Sequence, residues 1–242
     1  MTTHLAYFED TYKFDDHAML VATHRDEKGH FIFLNQTIFY PQGGGQPSDQ
    51  GAIEVGDVIA PIHSVRFIDG EVKHYTNQDY SSLRGQEARC LVHKEARLFH
   101  ARLHTAGHLL SNIIESLYPE WHAVKGHHFP GQCYVEFMSN TASLEDIPIE
   151  AVNKEIAACI EKDYTTHVEQ VSGGKLQELY PILNYPIPSD QPIRVVRLGD
   201  FPFSPCGGTH VKSLKELKGL EITRCKIKKG IMKINYAIEQ GE

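Results

Sequence analysis

The chain of 242 residues carries 24 Lys and Arg against 31 Asp and Glu, a formal charge of −7, with 41% apolar and 23% charged residues. Such proportions belong to a soluble globular protein with one large or two modest cores, and the net acidity excludes a binder that holds nucleic acid by overall charge alone. The first twenty residues have no secretory apolar core, no window approaches a membrane span, and five scattered cysteines form no even disulfide framework, so a reducing cytoplasm is the expected setting.

Residues 1 to about 90 read as short strands broken by turns. Phe31–Leu34 and Thr37–Tyr40 are rich in β-formers and flank Asn35–Gln36, which predicts a hairpin. Pro41 ends the second run, and Gly43, Gly44 and Gly45 follow as a loop. Ala52–Val55 and Pro61–Val65 resume the extended pattern, with Gly56–Asp57 and Asp69–Gly70 as turns. Many short strands and little helix predict a small β-barrel over residues 1–92. Neither a strand–GxGxxG–helix unit nor GxxxxGK[ST] is present, so no nucleotide cofactor is expected.

The pattern changes near His93, where a second domain, 93–242, is placed. From Ala96 to Tyr118 the apolar residues fall at three- and four-residue steps, which predicts one helix ended by Pro119. Gly107 inside it costs about 1 kcal/mol relative to Ala and calls for a close neighbour as its reason. His104 and His108 lie four apart, hence on one helix face. His100 and His104 form a rival pair, but His100 and His108 are about 12 Å apart along the axis and cannot serve one ion together. Among 15 His, one HxxxH is expected about once by chance.

Extended pieces follow at His122–Val124 and Cys133–Met138, with His127 and His128 in the connection between them. A second helix is predicted from Pro148 to about Lys162, then a strand at Thr166–Val171, a helical turn at Lys175–Leu179 and a strand at Ile193–Leu198. After a turn at Gly199–Pro202 comes Cys206-Gly207-Gly208-Thr209-His210, a thiol and an imidazole four apart over two glycines. Leu220–Thr223 and Ile227–Ile238 read as strands joined near Lys229–Gly230, with Met232, Ile234, Tyr236 and Ile238 on one face.

Three imidazoles and one thiolate suit tetrahedral Zn²⁺, so His104, His108, Cys206 and His210 are the expected metal ligands. Two basic clusters, Arg84–Arg102 and Arg224–Lys233, could meet a polyanion: Arg97, Arg102, Lys226, Lys228 and Lys229 are the candidate contacts. A solvated face is the plainer alternative for either.

The strings HTAGHLL and CGGTHV resemble the paired zinc motifs of the alanyl-tRNA synthetase editing domain, shared with free-standing AlaX-type editing proteins. The run from Thr37 to Gly51, TIFYPQGGGQPSDQG, is similar to the glycine-rich motif of the longer members. The resemblance covers residue 35 to the C-terminus. It implies an α+β chain, the small N-terminal barrel being followed by a threonyl/alanyl-tRNA synthetase-like editing domain of antiparallel sheet packed with helices. It also implies a trans-acting, zinc-dependent aminoacyl-tRNA hydrolase that deacylates tRNA(Ala) mischarged with serine or glycine. The alternative is a non-catalytic aminoacyl-tRNA-binding module with a structural zinc. Thr105, His127, Gly43, Gly44, Gly45, Gly207, Gly208 and Thr209 are the candidates for the substrate pocket, and no residue is singled out as the catalytic group. A site built for alanine cannot exclude smaller glycine, nor strongly reject serine, which merely adds a hydroxyl; a second, hydrolytic site answers that problem.

Overall fold

A computed structural model of the chain describes residues 3–139, 147–179 and 192–239. They fall into two compact units, Met1–Ala101 and Arg102–Glu242.

The N-terminal unit contains β1 (His4–Leu5), β2 (Asp15–Asp26), β3 (Gly29–Leu34), β4 (Gln36–Thr37), β5 (Gly51–Val55), β6 (Val58–Ile62), β7 (Ser64–Ile68), β8 (Glu71–Thr76) and β9 (Glu87–Val92). Seven of these form one antiparallel sheet in the order β6-β5-β9-β2-β3-β8-β7, and β1 and β4 make a short parallel pair. The long β2 changes partner along its length, Asp15–Met19 pairing with β9 and Leu20–Asp26 with β3, with a bulge between Leu20 and Ala22. Bulges of this kind bend and twist a sheet. No ladder joins β6 to β7 among the described residues, so the strand pairing shows an open sheet and not the closed barrel expected. One face buries Leu20, Ile32, Leu34, Ile53, Val65 and Val72.

The hairpin expected at Asn35–Gln36 is not formed. Phe31–Leu34 pairs with β2 and β8, and Ile38, Phe39 and Tyr40 run buried beside the sheet. Their backbone is satisfied by side chains instead: Phe39 N–H donates to Thr37 Oγ1 at 3.0 Å and Tyr40 N–H to Asp49 Oδ2 at 2.6 Å. Buried amides need such partners, and a polar side chain can supply what a ladder does not. The glycine-rich run closes a tight turn, with paired bonds between Gly43 and Gln46 and left-handed φ of 51° and 76° at Gly44 and Gly45. The Tyr40 hydroxyl donates to Gly43 O at 2.9 Å.

The helix α1 (Lys94–Leu117) begins in this unit. Arg97, in its first turn, is fully buried: Nε donates to both oxygens of Asp49 at 2.9 Å, and Nη1 to Thr11 O at 3.0 Å, while Nη2 reaches Ile38 O. Asp49, at the end of the glycine-rich run, is thereby tied to the start of the helix. Arg97 is spent inside the unit, and this corrects its candidacy as a tRNA contact. Arg89 pairs with Asp15 and Glu54.

The C-terminal unit holds the remainder of α1, β10 (Trp121–His127), β11 (Tyr134–Ser139), α2 (Ile149–Glu161), β12 (Thr166–Val171), α3 (Gly173–Leu179), β13 (Ile193–Leu198), β14 (Ser204–Pro205), β15 (Leu220–Lys228) and β16 (Ile231–Ile238). It has a four-stranded sheet, β10-β11-β16-β15, and a three-stranded one, β12-β13-β14, both antiparallel. The buried stripe of α1 is Leu103, Ala106, Leu109, Leu110, Ile113 and Ile114, at the spacing read from the sequence. Met232, Ile234, Tyr236 and Ile238 are all buried, as period-two alternation requires. Lys229 and Gly230 form the turn before β16 with φ of 53° and 77°, the geometry of a two-residue hairpin loop. Mostly sheet, with three α-helices among the described residues, the architecture is α+β.

Candidate metal centre

Two elements of the C-terminal unit converge. His104 and His108 project from one face of α1, and Cys206 and His210 come from the loop that follows β14. One donor atom from each of the four lies within 4.8 Å of every other. Cys206 Sγ is 3.4 Å from His104 Nε2 and 3.3 Å from His210 Nε2. Metal–ligand bonds of about 2.0–2.3 Å at tetrahedral angles put donor atoms about 3.4–3.7 Å apart, so these separations are already near the edges of such a tetrahedron. His100, of the rival pair, is not part of this cluster; it belongs to the N-terminal unit.

Each arm is oriented from behind. His210 Nδ1 is 3.1 Å from the hydroxyl of Thr105, which also accepts from Val211 N–H at 3.1 Å. His108 Nδ1 is 3.1 Å from Ser204 Oγ. Both contacts leave Nε2 for an ion, the division of labour usual in metal-binding imidazoles. The buried Arg194 clasps the loop, donating from Nη1 to Cys206 O at 2.7 Å and Gly208 O at 3.0 Å. Gly208 N–H points at Cys206 Sγ, 3.3 Å away. A side chain at Gly208 would place its Cβ 2.1 Å from His104 Cε1, so only glycine lets the loop close over that ring.

Burial sets the protonation states. It holds His108 down at about 4, and it drives His104 and His210 well below the ordinary imidazole range, with neighbouring imidazoles and Arg194 adding to the effect. The same burial raises the Cys206 thiol, opposed by the Gly208 amide and Arg194. Neutral imidazoles are the form that ligates, whereas the thiol must give up its proton to bind.

Of the other residues proposed from sequence, Thr105 is fully buried behind His210, and Gly207, Gly208 and Thr209 lie in the loop itself. His127 ends β10 and stacks on Phe129 and Tyr134. Its neighbour His128 reaches the centre instead. The His128 ring is stacked on His104 with centroids 4.7 Å apart and planes inclined by 21°. It is wedged in place: a Cβ on Gly107 would come within 2.3 Å of it, and one on Gly126 within 2.5 Å. That close approach is the reason for a glycine inside α1. His128 Nδ1 lies 2.6 Å from the Tyr236 hydroxyl, which donates to Leu103 O at 2.8 Å. Nothing in the adjacent pair of histidines distinguished His128 from His127, while Ser204 and Arg194 had no motif to mark them. Gly43, Gly44 and Gly45 belong to the N-terminal unit.

Arg102 is half-buried and donates to the carbonyls of Glu216, Lys218 and Glu239. Lys226, Lys228 and Lys229 are exposed along β15, an edge strand, and its turn.

Residues 193–234 match the family described as the threonyl and alanyl tRNA synthetase second additional domain. The chain is 27% identical to the alanyl-tRNA editing protein AlaX-L of Pyrococcus horikoshii over 90% of its own length and 53% of that protein's. It is 26% identical to AlaX-M of Methanosarcina barkeri, covering 92% of this chain and 93% of the relative. Against the alanine–tRNA ligase of Methanopyrus kandleri it is 25% identical, covering 97% of this chain and 26% of the ligase. The chain thus spans about half of the AlaX-L relative and a quarter of the ligase. The matched segment runs from β13 to β16 and includes both loop ligands. In motifs, matched segment and relatives alike, the chain is similar to AlaX-type alanyl-tRNA editing proteins.

Proposed function

We propose that this protein is a trans-acting, zinc-dependent hydrolase of the cytoplasm that removes serine, and also glycine, from mischarged tRNA(Ala). The observation that carries the reading is the convergence of His104, His108, Cys206 and His210 in a chain whose relatives are named alanyl-tRNA editing proteins. In this reading residues 93–242 are the editing domain and 1–92 an N-terminal domain that contains the Gly43–Gly45 loop. Zinc at this site would polarise the ester carbonyl or lower the pKa of a water toward about 7.

The chain's own residues do the positioning. Thr105 and Ser204 fix the ring planes of His210 and His108, and Arg194 holds the loop against them. Since Gly208 N–H is turned to the sulfur, we assign the exposed Gly207 amide to the developing oxyanion. Lys226, Lys228 and Lys229 are the tRNA contacts retained. Lysines on an edge strand also guard it against pairing with another chain.

Purified protein should release serine and glycine from tRNA(Ala) while sparing the alanyl form, and a chelator should abolish the release. Metal-replete protein inert on all three would refute the proposal. The four-donor set also favours a second reading, a binding module in which a closed tetrahedron leaves no open position. His104→Ala separates the two: a folded, inactive protein supports catalysis, and a large loss of melting temperature supports a structural ion.

A further inference from the structure

The four-stranded sheet β10-β11-β16-β15 has two unlike faces. The inner face buries Val135, Phe137, Met232, Ile234 and Tyr236, and through Tyr236 it meets α1 and His128, the ring stacked on His104. Period-two alternation turns the intervening residues the other way, so the outer face looks away from the metal centre. Register sets Lys125, Glu136, Lys233 and Lys226 in one row across all four strands, and His127, Tyr134, Asn235 and Arg224 in the next. Lys228 and Glu221 stand on the same face, toward opposite ends of β15.

The charge on this face is lopsided. Lys125, Arg224, Lys226, Lys228 and Lys233 share it with two carboxylates, Glu136 and Glu221, in a chain whose net charge is −7. Glu136 is already 3.5 Å from Lys233 Nζ. Lys226 is paired directly across from Lys233, although like charges opposite one another weaken a ladder. Lys125, Arg224, Lys226 and Lys228 are exposed. Arg224, Lys226 and Lys228, at two-residue steps, stand about 6.7 Å apart in a line along the edge strand.

Beside the cations rises a ridge of aromatic rings. His127 is stacked on Phe129 with centroids 4.5 Å apart and planes inclined by 9°. It is also stacked on Tyr134, at 5.2 Å and 27°. Lys233 Nζ lies over the Tyr134 ring, 3.2 Å from its centroid, and Lys125 Nζ is at 5.7 Å. Stacked rings with a line of cations suit unpaired bases and their phosphates. A duplex keeps its base faces inside and offers mainly phosphate. An anionic membrane would engage the lysines and leave the ring stack unused.

We infer that the outer face of this sheet is a docking surface for an unpaired nucleic-acid strand, separate from the metal centre. The row on β15 follows the phosphates, and a base extends the His127–Phe129 stack. Lys226 and Lys228, retained above as tRNA contacts, are two members of this larger surface. Docking there needs neither an amino acid nor an ester, so a protein without deacylase activity would leave the inference standing.

The test titrates fluorescein-labelled hexauridylate, and a short RNA duplex of mixed sequence, by fluorescence anisotropy. The native protein should bind the single strand more tightly than the duplex. Changing His127→Ala and Phe129→Ala together should weaken single-strand binding by about tenfold or more through lost stacking, and leave duplex affinity within twofold. Changing Lys226→Gln and Lys228→Gln together should lower the slope of log affinity against log salt by about 1.4, two charges at about 0.7 each. Both pairs of changes are on the surface, and melting temperatures are compared to confirm that the variants fold. No binding of hexauridylate to the native protein, a duplex bound as tightly as the single strand, or a native salt slope in the glutamine variant overturns the inference. Capture of phosphatidylserine vesicles without any binding of hexauridylate would assign the face to a membrane and overturn it equally.

Discussion

Gly107→Ala gives opposite predictions from sequence and from structure. Helix propensity alone favours the change, by about 1 kcal/mol in a helix interior. In the folded protein the new Cβ would stand 2.3 Å from His128 Cε1, 2.7 Å from Nδ1 and 3.0 Å from the Tyr236 hydroxyl. Carbon atoms pack at about 3.5–4.0 Å, so the ring must retreat by more than an ångström. It has nowhere to go, being stacked on His104 and pressed against Gly126. Overpacking of this kind costs about 1–3 kcal/mol, and pulling His128 from Tyr236 adds about 1 kcal/mol. After the propensity gain, the net expectation is a loss of about 1–3 kcal/mol in urea denaturation followed by circular dichroism. The same substitution made in a His128→Ala background should instead stabilise, by up to about 1 kcal/mol, a coupling of about 2–4 kcal/mol across the cycle. A Gly107→Ala protein more stable than the parent, or an effect equal in both backgrounds, would show that His128 is not wedged against the helix.

Arg97→Met leaves Asp49 buried without its partner and should destabilise the protein by about 3–5 kcal/mol, read from urea midpoints. His74, fully buried between Thr37 Oγ1 and Ile32 O, is held down at about 4 by desolvation. An unfolded imidazole titrates near 6.5, so between pH 6.5 and 4 the unfolded chain binds the extra proton. The stability tied to His74 is therefore complete above about pH 6.5 and falls by about 3 kcal/mol as pH drops to 4; His74→Gln should remove that share of the pH dependence of denaturation midpoints, leaving the share of the other buried imidazoles. Cys206→Ser should abolish the thiolate-to-metal charge-transfer band of the cobalt-loaded protein, whereas His100→Ala should leave it intact; the reverse result would displace Cys206 from the ligand set.

The periodic parts of the chain were legible from residues alone. The pattern from Ala96 to Tyr118 specified α1 within two residues of its ends, and the alternation after Gly230 specified β16 and its buried face. Both patterns are local, because a helix or a strand sorts its side chains by its own repeat. The two motifs named the four clustered donors for the same reason, since spacing within five residues survives any fold.

What neighbours do was not legible. Thr37–Tyr40 reads as a strand, yet Asp49 and Thr37 take up its amides, and the pairing falls to Asp15–Asp26, whose charges masked a twelve-residue strand. Arg97 reads as a surface cation, but a carboxylate 48 positions earlier buries it. His128 and His127 are indistinguishable as letters; Gly107 and Gly126 decide which ring reaches His104. By itself the sequence determined the helices, the longer strands of the C-terminal unit and the identity of the candidate metal donors, because these depend on short-range spacing. Only the tertiary structure decided partners and burial, because those depend on contacts between residues far apart in the chain.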